Sequence, residues 1–126
     1  MEKDKIFKIF DEHFIKDMFM TPVINKDERH YNDEHLYIIF AWMPGGVLYV
    51  EDKLRILIRN WKTKKSFSLS ISSSKIPFSE KKEEIVSFIK EIVYQNSGVE
   101  SRDLLNDWYE IKKVEIRDKK ISDLGI

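Results

Sequence analysis

Apolar residues recur at helical spacing from the start of the chain. Ile6, Ile9, Phe10, Phe14 and Met18 share a face that Phe7, Ile15 and Phe19 broaden, with Lys, Asp and Glu elsewhere. This predicts an amphipathic helix over residues 2–19, ended by Thr21-Pro22. The next stretch, NKDERHYNDEH from Asn25 to His35, is polar without a period and reads as a long surface loop. LYIIFAWM, Leu36 to Met43, is short and rich in aromatic and branched residues, which predicts a strand buried on both faces. Pro44-Gly45-Gly46 then marks a turn, and VLYVE, Val47 to Glu51, reads as the return strand of a hairpin. After a turn at Glu51-Asp52-Lys53, Leu54, Ile56 and Ile58 alternate with Arg55, Leu57, Arg59 and Trp61. The turn KTKK, Lys62 to Lys65, leads to SFSLSIS, whose alternation of Ser with Phe67, Leu69 and Ile71 predicts an edge strand wet on one face.

Ser79 is placed to cap a second helix with the stripe Ile85, Phe88, Ile89, Ile92 and Val93, stopped by Ser97-Gly98. Ser101 opens a short turn through Leu104, Leu105 and Trp108, and YEIKKVEIR, Tyr109 to Arg117, reads as a last strand. The expected order is α-β-β-β-β-α-β. That is an α+β fold, an antiparallel four-stranded meander with two packing helices and a C-terminal strand, in one domain over residues 1–126.

Charge changes this picture more than composition does. Lys+Arg and Asp+Glu are equal at 22 each, yet residues 1–52 sum to −5, residues 53–82 to +8 and residues 83–126 to −3. Segregated charge of this kind steers association with a partner of opposite sign. The absence of cysteine excludes a disulfide framework, a thiolate metal site and a cysteine nucleophile, and fits a reducing, cytoplasmic location. No apolar run approaches the ~20 residues of a membrane span, and with the charged start MEKDKIF followed by no apolar stretch of signal-peptide length, export by a signal peptide is not expected.

Three constellations are candidates for chemistry. Asp27, Glu28, His30, Asp33, Glu34 and His35 gather acids and imidazoles, but the two histidines lack the spacing that puts two ligands on one helix face, so a solvated charged loop is expected. Arg55, Arg59 and Trp61 project from one side of a strand with Tyr49 on its neighbour, and Lys62, Lys64 and Lys65 crown the adjacent turn. Such a basic and aromatic face suits phosphates and bases, an acidic protein partner, or burial under the helices with the arginines reaching to water. Third, Glu51-x-Lys53 at a strand end, in a helix–strands–helix–strand order, resembles the PD-(D/E)XK nucleases. That resemblance implies a divalent metal held by an upstream acid, here Asp33, and by Glu51, with Lys53 assisting the attacking water and Glu12 as the helix acid. The chain departs from the pattern at Pro44, which Gly45 and Gly46 follow instead of an acid.

A binding role ranks above catalysis, because every catalytic candidate sits in a loop or a turn. In size, in its cysteine-free charged make-up and in its small α+β plan around LYIIFAWMPGGVLYV, the chain resembles the small bacterial immunity proteins. Membership implies a non-catalytic protein that occludes a toxin's active site, with no cofactor or metal. Its contact residues would be the basic and aromatic set together with the acidic Asp27, Glu28, Asp33 and Glu34, which suit a basic toxin. Nucleic acid is the alternative partner, and a monomer or weak homodimer is expected.

Overall fold

The computed structural model describes residues 3–47, 50–99 and 101–123. The chain begins as α1, Lys3–Asp11, which buries Ile6, Phe7, Ile9 and Phe10. At Glu12 it widens into a π turn, Glu12–Asp17, that carries His13 and Phe14 into the core. The extra residue per turn rotates the buried face along the helix. Met18 N–H closes the turn on His13 O at 3.0 Å. Phe19, at φ 56°, then reverses the chain in the left-handed region, and the helix expected to reach residue 19 stops short of it. The core role expected for Phe7, Phe10 and Phe14 holds: Phe10 stacks on Phe40 with centroids 4.1 Å apart, and Phe14 stacks on Tyr31 at 5.0 Å.

Five strands follow: β1 Thr21–Ile24, β2 Glu28–Asn32, β3 Leu36–Met43, β4 Lys53–Asn60 and β5 Ser66–Ser72. They form one antiparallel meander in chain order, with β1 and β5 at the edges. Pro22 is accommodated because β1 is an edge, where a missing N–H costs no ladder bond. The meander therefore has five strands instead of four, and its membership differs from expectation in two places. The polar stretch Asn25–His35 is not one loop: it contains β2 and its two flanking turns. Conversely, of the expected strand Val47–Glu51, Leu48 and Tyr49 lie outside the described residues, and Val47, Val50 and Glu51 belong to no strand. β3 pairs directly with β4 over eight positions, from Leu36↔Asn60 to Met43↔Lys53, which leaves residues 44–52 as the connection. Asp52 closes that connection, accepting from Trp42 Nε1 at 2.9 Å and from Gly45 N–H at 2.6 Å. Val47 and Val50 stand fully exposed in it.

After a single 3₁₀ turn, Ser73–Lys75, the chain enters α2, Lys82–Asn96. The expected cap is displaced: Lys81 is the N-cap and has no side-chain cap bond, while Ser79 Oγ accepts the Lys81 N–H at 3.1 Å ahead of the helix; Ser97 N–H ends α2 on Val93 O at 3.0 Å. Ile85, Ile89 and Val93 of the expected stripe are buried, with Phe88 and Ile92 half-buried beside them. The C-terminal strand is overturned. Residues 104–123 form a third helix, α3, Leu104–Asp123, whose buried stripe is Leu104, Leu105, Trp108 and Lys112. Ile111 and Val114, two apolar residues within the stretch expected as a strand, are 41% and 48% exposed.

The helices all serve one face of the sheet. Tyr31, Leu36, Ile38, Phe40, Trp42, Leu54, Ile56, Ile58 and Ile71 are buried in one cluster with the inward residues of the three helices. β3 is accordingly buried on one face and only half-buried on the other. No helix among the described residues is long and apolar enough to cross a membrane.

Candidate docking face

Side chains alternate across a strand, so the positions between the buried ones define the opposite face of the sheet. The registers align them in rows. One row runs Thr21, Asn32, Tyr37, Arg59, Ser66; the next Val23, His30, Ile39, Leu57, Ser68; the third Glu28, Ala41, Arg55, Ser70. The described helices lie on the other side. The arginines of β4 are therefore open to solvent: Arg55 and Arg59 are exposed and form no ion pair among the described residues.

Trp61 continues the alternation past the end of β4 and lies flat on Tyr37, with centroids 5.5 Å apart and planes 23° from parallel. Its Nε1 donates to Asn32 Oδ1 at 2.8 Å, and its backbone N–H donates to His35 O at 3.0 Å. Tyr37 Oη meets His30 Nδ1 at 2.5 Å. Partial burial, and then the charge of Glu28, raises the Tyr37 phenol above its ordinary value, so it stays a neutral hydroxyl. Losing this one hydrogen bond in Tyr37→Phe is expected to cost about 1 kcal/mol in urea unfolding. An unchanged midpoint would show that the ring stack alone holds the cluster.

The β4–β5 turn is built by Asn60. Its Oδ1 accepts the N–H groups of Lys62 and Thr63 at 3.0 and 2.9 Å, its carbonyl accepts from Lys64 N–H at 2.9 Å, and its own N–H donates to Lys65 O at 2.9 Å. Lys64 takes a left-handed φ of 62° to complete it. Lys62, Lys64 and Lys65 all point to solvent at the corner of the open face. Tyr49 lies outside the described residues.

The acidic set does not form a second surface. Asp27 and Asp33 lie beyond opposite ends of β2, and both are engaged. Asp27 accepts from Lys3 Nζ at 2.9 Å, which lowers its pKa. Asp33 holds the β2–β3 turn: its Oδ1 accepts the N–H groups of His35 and Leu36 at 2.8 and 2.7 Å, its Oδ2 accepts from Trp108 Nε1 at 2.7 Å, and Lys112 Nζ stands 3.4 Å away. Glu28 joins the open face, 3.4 Å from His30 Nε2. Glu34 is exposed, 3.4 Å from His35, which itself pairs with Glu115 of α3 at 2.6 Å. Glu34, His35 and Glu115 bring three donor atoms within 4.8 Å of one another. Lys112, 3.7 Å from Glu115, already supplies positive charge there.

The residues matched to the nuclease motif are not brought together. Glu51 precedes β4, where it accepts from Ser74 Oγ at 2.6 Å, while Asp33 lies beyond the other end of the β3–β4 pair. Eight strand residues separate them, roughly 25 Å at about 3.3 Å per residue. Glu12 sits on the helical face and pairs with Lys82 at 3.3 Å.

No family model matches the chain, and no curated protein or solved structure is significantly similar to it. Its chemistry must be read from its own surfaces. Two features, one on the open face and one in the interior, escape a reading of the sequence. Tyr37 is concealed inside the apolar run Leu36–Met43, although strict alternation along that run places it with Ile39, Ala41 and Met43 on one face. His13 and Tyr109, whose Nε2 and Oη lie 2.6 Å apart, are 96 residues apart in the chain and carry no local signal.

Proposed function

We propose that this chain is a non-catalytic protein-binding module that neutralises a bacterial toxin stoichiometrically, with the open sheet face as its contact surface. The observation that supports this reading is a sheet braced by helices on one side and bearing, on the other, exposed Arg55 and Arg59 beside the Tyr37–Trp61 stack. Arg, Tyr and Trp are the side chains that most often anchor protein interfaces, and the Tyr37–Trp61 stack holds its two rings in place before binding. The lysine corner extends the positive field and steers an acidic surface toward the face. Because Asp27 and Asp33 are engaged within the fold, the partner surface matched by this face is acidic.

The test is co-expression with the C-terminal domain of a toxin encoded immediately upstream. Wild type is expected to form a stable complex and protect the cell. Reversing Arg55→Glu and Arg59→Glu is expected to weaken the complex about tenfold per residue, whereas Glu34→Lys is expected to leave it intact. Full protection by the double reversal overturns the placement of the contact surface. Nucleic acid takes the partner's place if mixed-sequence single strands bind wild type at low salt, binding falls steeply with added salt, and the same reversals abolish it.

A further inference from the structure

The edge of the sheet at β5 is bare in a way that edges seldom are. Between Ser66 and Ser72 there is no charged residue and no proline, the devices that ordinarily prevent another strand from pairing. The hydrogen bonds that bracket the β4–β5 ladder fix its alternation. Asn60 N–H donates to Lys65 O at 2.9 Å at one end, and Ser73 N–H donates to Asp52 O at 2.8 Å at the other. Asn60 and Lys65, like Asp52 and Ser73, therefore sit at hydrogen-bonded positions, and in the register between them so do Phe67, Leu69 and Ile71. The N–H and C=O groups of Ser66, Ser68 and Ser70 consequently point away from the sheet.

The side chains beside this edge are also unfinished. Ile71 is buried, but Phe67 and Leu69, on the helix side, are only half-covered, so a further strand would bury apolar surface there. On the open side the serines are small. Arg55 and Arg59 lie opposite Ser70 and Ser66, one strand in. Strands are about 4.8 Å apart, so an arginine reaches across a serine row to a side chain on the strand beyond. The lysine corner, Lys62 to Lys65, closes one end of the same edge. A second copy of this chain fits poorly, since an antiparallel β5–β5 pair would set that corner of each copy against Lys75 of the other.

We infer that β5 accepts an extended segment of an acidic partner as a sixth strand, alternating acidic side chains toward Arg55 and Arg59 with apolar side chains over Phe67 and Leu69. This rests on the docking face proposed above and specifies how the partner engages it. Main-chain bonds to the serines supply affinity, and the arginines select for acids.

The probe is a synthetic peptide alternating Glu and Val, titrated into the full chain at low ionic strength and followed by fluorescence anisotropy and by amide chemical shifts. Binding is expected, with the largest shifts at Ser66, Ser68 and Ser70. Ser68→Pro removes an outward N–H and no bond to β4, so the variant is expected to fold and to bind at least about tenfold more weakly. Ser68→Thr, which keeps that N–H, is expected to bind as wild type does. A Lys/Val peptide binding equally well, a Glu/Val peptide that ignores Ser68→Pro, or no binding at all overturns strand addition. So does a wild-type dimer that Ser68→Pro dissociates, which would make a second copy the occupant. If Arg55→Glu/Arg59→Glu still abolishes toxin protection while Ser68→Pro does not, the docking face stands and only the sixth strand falls.

Discussion

Replacing Asp33 by Ala is expected to lower the free energy of unfolding by about 3 to 5 kcal/mol, the largest effect of any single change considered for this chain. One carboxylate serves four groups. Its Oδ1 ties the N–H groups of His35 and Leu36 into the β2–β3 turn, a side-chain mimic of a backbone turn that also sets where β3 begins. Its Oδ2 takes the indole N–H of Trp108, a side chain buried at 1% exposure, and faces the Lys112 ammonium at 3.4 Å. With the carboxylate removed, a buried indole donor and a nearly buried ammonium lose their partner together, and an uncompensated buried charge alone costs several kcal/mol. Glu115, 3.7 Å from Lys112, recovers part of that loss, which keeps the expected value within the stated range. Urea unfolding of Asp33→Ala and Lys112→Met, singly and combined, measures it. The combined variant is expected to be less destabilised than the sum of the two, because Met leaves no orphaned ammonium. A loss below about 1 kcal/mol for Asp33→Ala would show that the turn and α3 are not joined through this group. Hydrogen exchange in the same variant is expected to rise first along α3, whose anchor has gone, and last in β3 and β4.

Asp33 also illustrates which parts of the fold are legible in the sequence. β4 and β5 alternate cleanly because their wet faces are Arg and Ser, so period two survives, and α2 has a full apolar stripe with a serine ahead of it. β2 conceals itself. Only Tyr31 of Glu28–Asn32 is fully buried. On the same side Arg29 reaches Asp11 at 3.1 Å, a cation on the core side of a strand that erases the alternation. α3 is misread for a parallel reason. Lys112 occupies a core position one turn after Trp108, admitted by Asp33 from 79 residues upstream, while Ile111 and Val114 face outward and imitate a strand. In both cases a distant carboxylate licenses a charge inside, and no local window contains both partners. The candidate site is legible in the same proportion. Arg55, Arg59 and Trp61 show in the sequence as one side of a strand, with the lysines in the turn beside it. Whether helices cover that side depends on the positions of α1 and α3, which long-range packing decides. The acidic group, contiguous in sequence, is divided between the two ends of β2.

Acidification from pH 7 to pH 4 is expected to remove about 3 kcal/mol of stability through His13 alone. His13 is 7% exposed, on the π turn, with its Nε2 against Tyr109 Oη and its Nδ1 3.7 Å from Asp17. Desolvation lowers its pKa from 6.5 to about 4; Asp17 opposes this, and Lys82 and Lys90 reinforce it. The pair is satisfied with the ring neutral, by the hydrogen bond between His13 Nε2 and Tyr109 Oη, and burial holds that phenol protonated by raising its pKa. A folded-state pKa below the unfolded one means that between about 4 and 6.5 the unfolded chain binds a proton that the native chain refuses. Stability therefore falls as pH drops through 6.5, continues falling to about 4, and is then insensitive to this group. Asp27 and Asp52 act in a separate, lower window. Their folded pKa values are lowered by Lys3 and by the Gly45 and Trp42 donors respectively, so their contribution is present above the unfolded carboxylate value near 3.8 and is lost below it. His13→Gln, which keeps a polar group beside Tyr109 but cannot titrate, separates the two windows. Its unfolding free energy is expected to stay nearly level from pH 6.5 to 4 and then to fall with that of wild type. Parallel curves for the two proteins across pH 4 to 6.5 would show that His13 carries its proton in the folded chain and that the π turn does not hold it dry.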